Sequence, residues 1–214
     1  HLTRAWRLRD GESLSQATAF LTGNIGIAHA VIPMSDNPVR TQIETETAVL
    51  DFQHYFVKEQ CRPVATAIRF GGAEHARISA GFREALDRDD LAAVVICPSN
   101  PYLSVDPILA LPGVRDRLLA RKVQVIAVSP LVGGTALKGP LAKLMAELGK
   151  PVSNRAIAEH YSGLLDHLVI DASDAADAED LRGAGLCVMV TQTVMRNGDD
   201  RKQLAREVLA LAGV

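Results

Sequence analysis

The chain has 214 residues, 48% of them hydrophobic and 22% charged, a composition that excludes a disordered protein. Its 23 Lys and Arg residues against 25 Asp and Glu leave a formal net charge of -2, which argues against nucleic-acid binding through a basic face. Three well-separated cysteines favour a reducing compartment, and no apolar run approaches the roughly 18 residues of a membrane span. We therefore expect a cytoplasmic protein that contacts neither nucleic acid nor a membrane.

Apolar periodicity predicts an irregular first third of the chain. A helix is expected over residues 2–8, and Ser13 to Gln16 have the spacing of a capping box that opens a second helix. The apolar run 25–32 is expected to end as a strand, and residues 39–46 alternate as in a half-exposed strand. Helical spacing follows at residues 52–57.

From residue 64 onward, strands and helices alternate regularly. Strands are predicted over residues 64–70, 91–96, 123–128, 167–171 and 186–190, and helices over 74–87, 112–121, 139–148, 154–161, 175–182 and 200–212. The run 91–96 is apolar throughout and 123–128 almost so, which is typical of parallel strands buried on both faces. The pattern predicts an α/β fold, a doubly wound, mostly parallel, Rossmann-like three-layer sandwich.

The two most apolar strands are each followed by a loop with unusual residues, at the sheet edge where α/β proteins bind ligands. The first loop, residues 97–107, contains three prolines and offers Ser99, Asn100 and Ser104 as uncharged hydrogen-bonding groups. Composition alone favours a binding loop and an ordinary turn about equally.

The second loop, residues 129–140, contains Ser129, Gly133, Gly134 and Lys138. Glycines let backbone N–H groups approach an anion, and a lysine adds a point charge for phosphate. The loop does not have the GxxxxGK[ST] pattern, and a bare Gly-Gly pair is more often a turn. Because both loops leave consecutive strands and can face one crevice, together they suggest a ligand with phosphate groups.

Other polar positions have weaker signals. Ser35 and Asp36 stand between two prolines, which suits a ligand site or a simple turn equally, and Gln53 lies among aromatic residues on a predicted helix. Gly71-Gly72 is better explained by close packing of a strand against a helix. The histidines have no metal-binding spacing, and no catalytic triad can be assigned.

Several stretches, read together, match one known family in the same order. They are residues 33–39 (PMSDNPV), 52–57 (FQHYFV), 70–73 (FGGA), 97–101 (CPSNP), 104–109 (SVDPIL), 112–115 (PGVR), 129–134 (SPLVGG), 137–140 (LKGP) and 160–166 (HYSGLLD). With these motifs the sequence resembles the 2-phospho-L-lactate transferase family, also called CofD or FbiA. The resemblance extends over nearly the whole chain.

The resemblance implies an enzyme of coenzyme F(420) biosynthesis. It implies transfer of a phospholactyl or phosphoenolpyruvyl group from a guanosine diphosphate-linked donor to the deazaflavin Fo, with release of GMP, support by Mg2+ and a possible homodimer. On this basis the donor or its phosphates are assigned to Ser99, Asn100, Ser104, Ser129, Gly133, Gly134 and Lys138. Substrate contacts are assigned to Ser35, Asp36 and Gln53.

Part of the family pattern is missing from this sequence. The resemblance implies that family members begin with a strand, a turn resembling GGTGG and metal-binding acids, and none of these is present in residues 1–214. Residues 1–214 are therefore expected to form a single α/β domain, the downstream part of a 2-phospho-L-lactate transferase-like domain. The catalytic base stays unassigned, and no metal ligand is expected within this chain because the acids are expected upstream.

Two other functions remain open at this point. A nucleotide-sugar-binding regulatory protein of the same superfamily is one alternative, although the 33–39 and 52–57 stretches favour the transferase. A dinucleotide-dependent oxidoreductase is disfavoured, because GxGxxG with an acidic residue about 20 positions later is absent.

Overall fold

The structure, a computed structural model, describes residues 2–136 and 139–213. The helices are α1 (Leu2–Arg9), α2 (Leu14–Asn24), α3 (Ala80–Leu86), α4 (Asp106–Leu109), α5 (Val114–Ala120), α6 (Leu141–Glu147), α7 (Asn154–His160), α8 (Asp177–Gly183) and α9 (Gly198–Leu211). The strands are β1 (Arg40–Thr45), β2 (Val49–Asp51), β3 (Ala65–Gly71), β4 (Ala93–Ile96), β5 (Gln124–Val128), β6 (Leu131–Val132), β7 (Thr135–Ala136), β8 (His167–Asp171) and β9 (Cys187–Thr191). Two π-helices cover His54–Lys58 and Pro101–Val105, and short 3-10 turns cover Ala73–His75 and Ala172–Asp174.

The centre of the fold is a four-stranded parallel sheet in the order β4-β5-β8-β9. Side chains alternate along β5, so that Val125 and Ala127 face one layer of helices while Ile126 and Val128 face the other. Helices α5 to α8 cover the first face, and α9 covers the second through Leu204 and Val208. Helices on both faces of a parallel sheet confirm the predicted α/β fold class.

A second sheet holds the strands of the first third of the chain. It is antiparallel, in the order β2-β1-β3, and Ile43 in β1 lies opposite Ile68 in β3. Strand β3 was expected at this place but pairs with β1 instead of joining the parallel sheet. This sheet meets α6 through a buried cluster that contains Ile43, Tyr55 and Leu144.

Three sequence predictions of local structure were wrong. The strand predicted over 91–96 is not buried on both faces, because β4 lies at the edge of the parallel sheet and Val95 is 39% exposed. Residues 25–32 form no strand; they are exposed, and Gly26 adopts a positive φ of 74° that interrupts an extended run. The helix expected over 74–87 begins only at Ala80, because the Ser79 hydroxyl accepts a hydrogen bond from the Phe82 N–H and donates one to the Pro33 carbonyl.

None of the helices within the described residues is long and apolar enough to cross a membrane.

Candidate functional site

A cavity of about 500 Å3 opens at the carboxyl ends of β4, β5 and β9, and we call it the strand-end cavity. Its lining residues come mainly from the three loops that follow these strands: Pro98, Ser99, Asn100, Ser129, Pro130, Val132, Leu141, Thr193, Val194, Met195 and Arg196. Parallel strands place their carboxyl ends at one edge, which is why three loops distant in sequence meet there. The structure thus brings Ser99, Asn100 and Ser129 to one cavity.

The oxygen and the nitrogen of the Asn100 side chain have different roles. Its Oδ1 accepts hydrogen bonds from the backbone N–H groups of Tyr102 at 3.1 Å and Leu103 at 3.2 Å, which caps the π-helix. Its Nδ2 is buried and has no hydrogen-bond partner within the described part of the chain. An unpaired buried donor is costly, so this amide is suited to donate to an acceptor oxygen of a ligand in the cavity.

The π-helix after Asn100 is held in place by α7. The His160 Nε2 lies 2.7 Å from an Asp106 carboxylate oxygen, and the His160 ring packs edge-on against Tyr102 at 4.7 Å between centroids. Ser104, on the same π-helix, is exposed and does not line the strand-end cavity. Single-turn π-helices are frequent at functional sites, and this one fixes the backbone that carries Asn100.

Ser129 uses its hydroxyl within the protein. The Oγ donates to Asn154 Oδ1 at 2.6 Å and accepts from the Leu131 N–H at 3.2 Å, while Asn154 Nδ2 donates to Asp177 at 2.9 Å. Because the hydroxyl is 1% exposed and already bonded on both sides, Ser129 shapes the turn after β5.

Asp171, the last residue of β8, holds the loop after β9, which forms one wall of the strand-end cavity. Asp171 Oδ2 accepts from both the N–H and the hydroxyl of Thr193, each at 2.9 Å, and Oδ1 accepts from the N–H and hydroxyl of Ser173. Burial opposes ionisation of Asp171, but these hydrogen bonds outweigh it and lower its pKa to about 2. A buried carboxylate that is charged at neutral pH therefore fixes Thr193 at the cavity.

The glycine turn after β5 already holds an anion, and that anion is a side chain. Asp174, which is 6% exposed, accepts from the Gly133 N–H at 2.9 Å and from the Gly134 N–H at 2.7 Å. Both glycines have positive φ, 61° and 70°, which turns their N–H groups toward one acceptor. A phosphate could reach these amides only by displacing Asp174.

Arg196 contributes a positive charge to the strand-end cavity that we did not anticipate from the sequence. Its side chain is exposed and forms no ion pair or hydrogen bond with any residue that the structure describes. Among the described residues that line the cavity, none is Asp or Glu and one, Arg196, carries a positive charge. The other polar lining residues are Ser99, Asn100, Ser129 and Thr193, and the rest of the wall is apolar. Thr193 and Arg196 also follow a predicted strand, so the rule that ligands bind beyond the carboxyl ends of parallel strands could have identified them. The sequence analysis applied that rule only to the loops after 91–96 and 123–128.

The remaining predicted site residues lie elsewhere. The buried Ser35 hydroxyl donates to the Arg77 carbonyl at 2.6 Å, and Asp36 accepts from the Ser15 N–H at 2.7 Å, so both tie their loop to neighbouring segments. Gln53 is exposed at the start of the first π-helix. Lys138 lies outside the described residues.

Within residues 2–136 and 139–213, no group of three or more His, Cys, Asp or Glu side chains is arranged to hold a metal ion. The described lining of the cavity offers the Asn100 amide, the Ser99 hydroxyl and the Arg196 guanidinium as donors, which suits a ligand with anionic oxygens.

Comparisons with known proteins identify the family to which this α/β protein belongs. The family profile described as 2-phospho-L-lactate transferase CofD matches residues 1–207. A 2-phospho-L-lactate transferase of Methanococcoides burtonii is 39% identical over 211 residues, which cover 99% of this chain and 68% of the relative. A phosphoenolpyruvate transferase of Streptomyces griseus is 35% identical over 217 residues, with 99% and 68% covered.

Solved structures show a similar fold. Two crystal structures of a UPF0052 family protein from Bacillus halodurans match with TM-scores of 0.66 and 0.68, covering 97% of this chain and 70% of theirs. Their 14% sequence identity supports the shared fold alone.

The fold first defines an α/β protein with a cavity beyond the carboxyl ends of its parallel sheet. The profile match and the relatives then identify the chain as a member of the 2-phospho-L-lactate transferase CofD family. The predicted family and the prediction of a transferase are thereby confirmed. Membership places the chain among the enzymes of F(420) biosynthesis.

Proposed function

We propose that the protein transfers a phospholactyl or phosphoenolpyruvyl group from a guanosine diphosphate-linked donor to the deazaflavin Fo and releases GMP. The observation that carries the proposal is the family match over residues 1–207, together with relatives named for transfer of either group. The choice between lactyl and enolpyruvyl donors rests on pocket contacts and is left to the assay below.

The proposed step is a substitution at phosphorus. The primary hydroxyl of the Fo ribityl chain attacks the phosphorus nearer the lactyl or enolpyruvyl group, and a new P–O bond forms. The bond from that phosphorus to the bridging oxygen of the diphosphate breaks, and the bridging oxygen leaves as part of GMP. The hydroxyl proton passes to a base that we do not assign to a residue of this chain.

The strand-end cavity supports this proposal because the donor diphosphate is the most anionic part of either substrate. Asn100 presents a buried, unpaired amide donor, and Ser99 adds a hydroxyl beside it. Holding the donor by one end would align its reacting phosphorus with the acceptor hydroxyl, which is the main demand of such a reaction.

Magnesium and a homodimer belong to the proposal through the family resemblance. The residues that the structure describes supply no metal-ligand cluster, so we derive no step through the ion. The dimer is tested by the molar mass of the protein in solution, with a doubled mass expected.

The proposal is tested with Fo, magnesium and each of the two guanosine diphosphate-linked donors in separate reactions. We expect GMP release that depends on Fo, with a product in which the phospholactyl or phosphoenolpyruvyl group has replaced one hydroxyl hydrogen of Fo, as measured by its mass. Reactions without Fo are the control for simple hydrolysis of the donor. Absence of Fo-dependent GMP release with both donors contradicts the proposal, and binding of a UDP-sugar in its place would support the regulatory alternative.

A further inference from the structure

A diphosphate in the strand-end cavity needs positive charge, and the glycine turn does not supply it. The Gly133 and Gly134 amides are bonded to the Asp174 carboxylate, and Ser129 has bonded its hydroxyl to Asn154 and Leu131. Among the described residues of this wall, the groups that remain free are uncharged. Neutral donors alone bind phosphate oxygens more weakly than charged ones.

The loop between β9 and α9 is built to present a cation. The Arg196 N–H donates to Asp200 at 2.8 Å, and Asn197 caps α9 by accepting from the N–H groups of Asp199 and Asp200 at 2.8 and 2.9 Å. These bonds fix the backbone of Arg196 while its guanidinium stays exposed at the cavity.

The acids nearest to Arg196 in the chain contact groups other than its guanidinium. One Asp200 carboxylate oxygen accepts from the backbone N–H of Arg196 itself at 2.8 Å, and an Asp199 carboxylate oxygen lies 3.7 Å from the Lys202 ammonium. Arg196 thus brings a charged, forked donor to the same cavity that Asn100 lines with its buried amide, a combination that suits phosphate oxygens.

We propose that Arg196 binds the diphosphate of the donor, with Asn100 as a second, neutral donor that lines the same strand-end cavity. The inference rests on the proposed function for the identity of the donor. It adds a residue outside the two loops to which the sequence motifs assigned the phosphates.

The test is titration of the protein with inorganic pyrophosphate and with GDP by calorimetry. We expect Arg196→Gln to raise both dissociation constants by about 10- to 100-fold, the loss typical of a charge-assisted hydrogen bond. Arg196→Lys should lose less, because it keeps the charge but not the forked geometry.

A matched control is Arg201→Gln, three positions into α9. Arg201 is also exposed, but it lines an apolar groove with Val95 and Leu204 instead of the strand-end cavity. We expect its dissociation constants to stay within about twofold of the wild type. Unchanged melting temperatures would show that the variants are folded.

The outcomes separate the two proposals. If the wild type binds pyrophosphate and GDP, and Arg196→Gln binds them equally well, the role of Arg196 is overturned. The assignment of the cavity to the donor would not be affected by that result. A wild type that binds neither pyrophosphate nor GDP overturns both the role of Arg196 and the assignment of the cavity to the donor. Equal losses in Arg196→Gln and Arg201→Gln also contradict the inference, because they would reflect general surface charge.

Discussion

The loops after β4 and β5 have the same type of sequence signal but different states in the structure. Each follows an apolar strand of the parallel sheet and carries small polar residues next to proline. In the first loop the Asn100 Nδ2 is buried and has no partner among the residues that the structure describes, whereas in the second the Gly133 and Gly134 amides are held by Asp174. A loop whose sequence resembles a phosphate-binding loop therefore indicates where a site could lie. Only the tertiary contacts show whether its hydrogen-bond donors are free to bind a ligand.

The largest effect that would sharpen this comparison is expected for Asn100→Asp. Aspartate can keep the cap on Tyr102 and Leu103 but replaces the free donor by a carboxylate oxygen. We expect the dissociation constant for GDP to rise by about 100-fold or more. The unfolding free energy should also fall, because the new carboxylate oxygen takes the place of a buried, unpaired group.

Asn100→Ala is the matched variant, because it removes the donor without adding charge. It should weaken GDP binding by about 10-fold and also lower stability by about 1 kcal/mol through loss of the cap. If both variants change only stability and leave calorimetric GDP binding intact, the loop after β4 has a structural role alone.

A smaller effect is expected for Asp174→Asn, which probes the occupied loop. The amide keeps one acceptor for the two glycine N–H groups, so we expect the unfolding free energy in urea to fall by about 1 to 2 kcal/mol. The dissociation constant for pyrophosphate should stay within about threefold of the wild type. Tighter pyrophosphate binding in this variant would break the comparison, because it would show that the glycine turn is an anion site that Asp174 blocks.

The parallel sheet was predictable because its strands are short runs of mostly apolar residues. The apolar composition of residues 91–96 and 123–128 predicts the strands β4 and β5. Strand β2 and the β6–β7 hairpin escaped prediction, because segments of two or three residues leave no periodic signal. The antiparallel partnership of β1 with β3 is a long-range choice that local pattern does not encode.

The site was predictable where position along a strand determines it. Ser99 and Asn100 were placed by the rule that ligands lie beyond the carboxyl ends of parallel strands, and Arg196 obeys the same rule after β9. The bond between Asp174 and the glycine turn joins residues some 40 positions apart, so no local pattern could reveal that those amides are occupied.

The central claim is that donor phosphates bind between Asn100 and Arg196 while Asp174 keeps the glycine turn. A crystal structure of the protein with GDP tests it most directly. We predict phosphate oxygens within hydrogen-bond distance of the Asn100 amide and the Arg196 guanidinium, with the Gly133 and Gly134 amides still bonded to Asp174. Phosphate on the two glycine amides, with Asp174 displaced, would contradict the account.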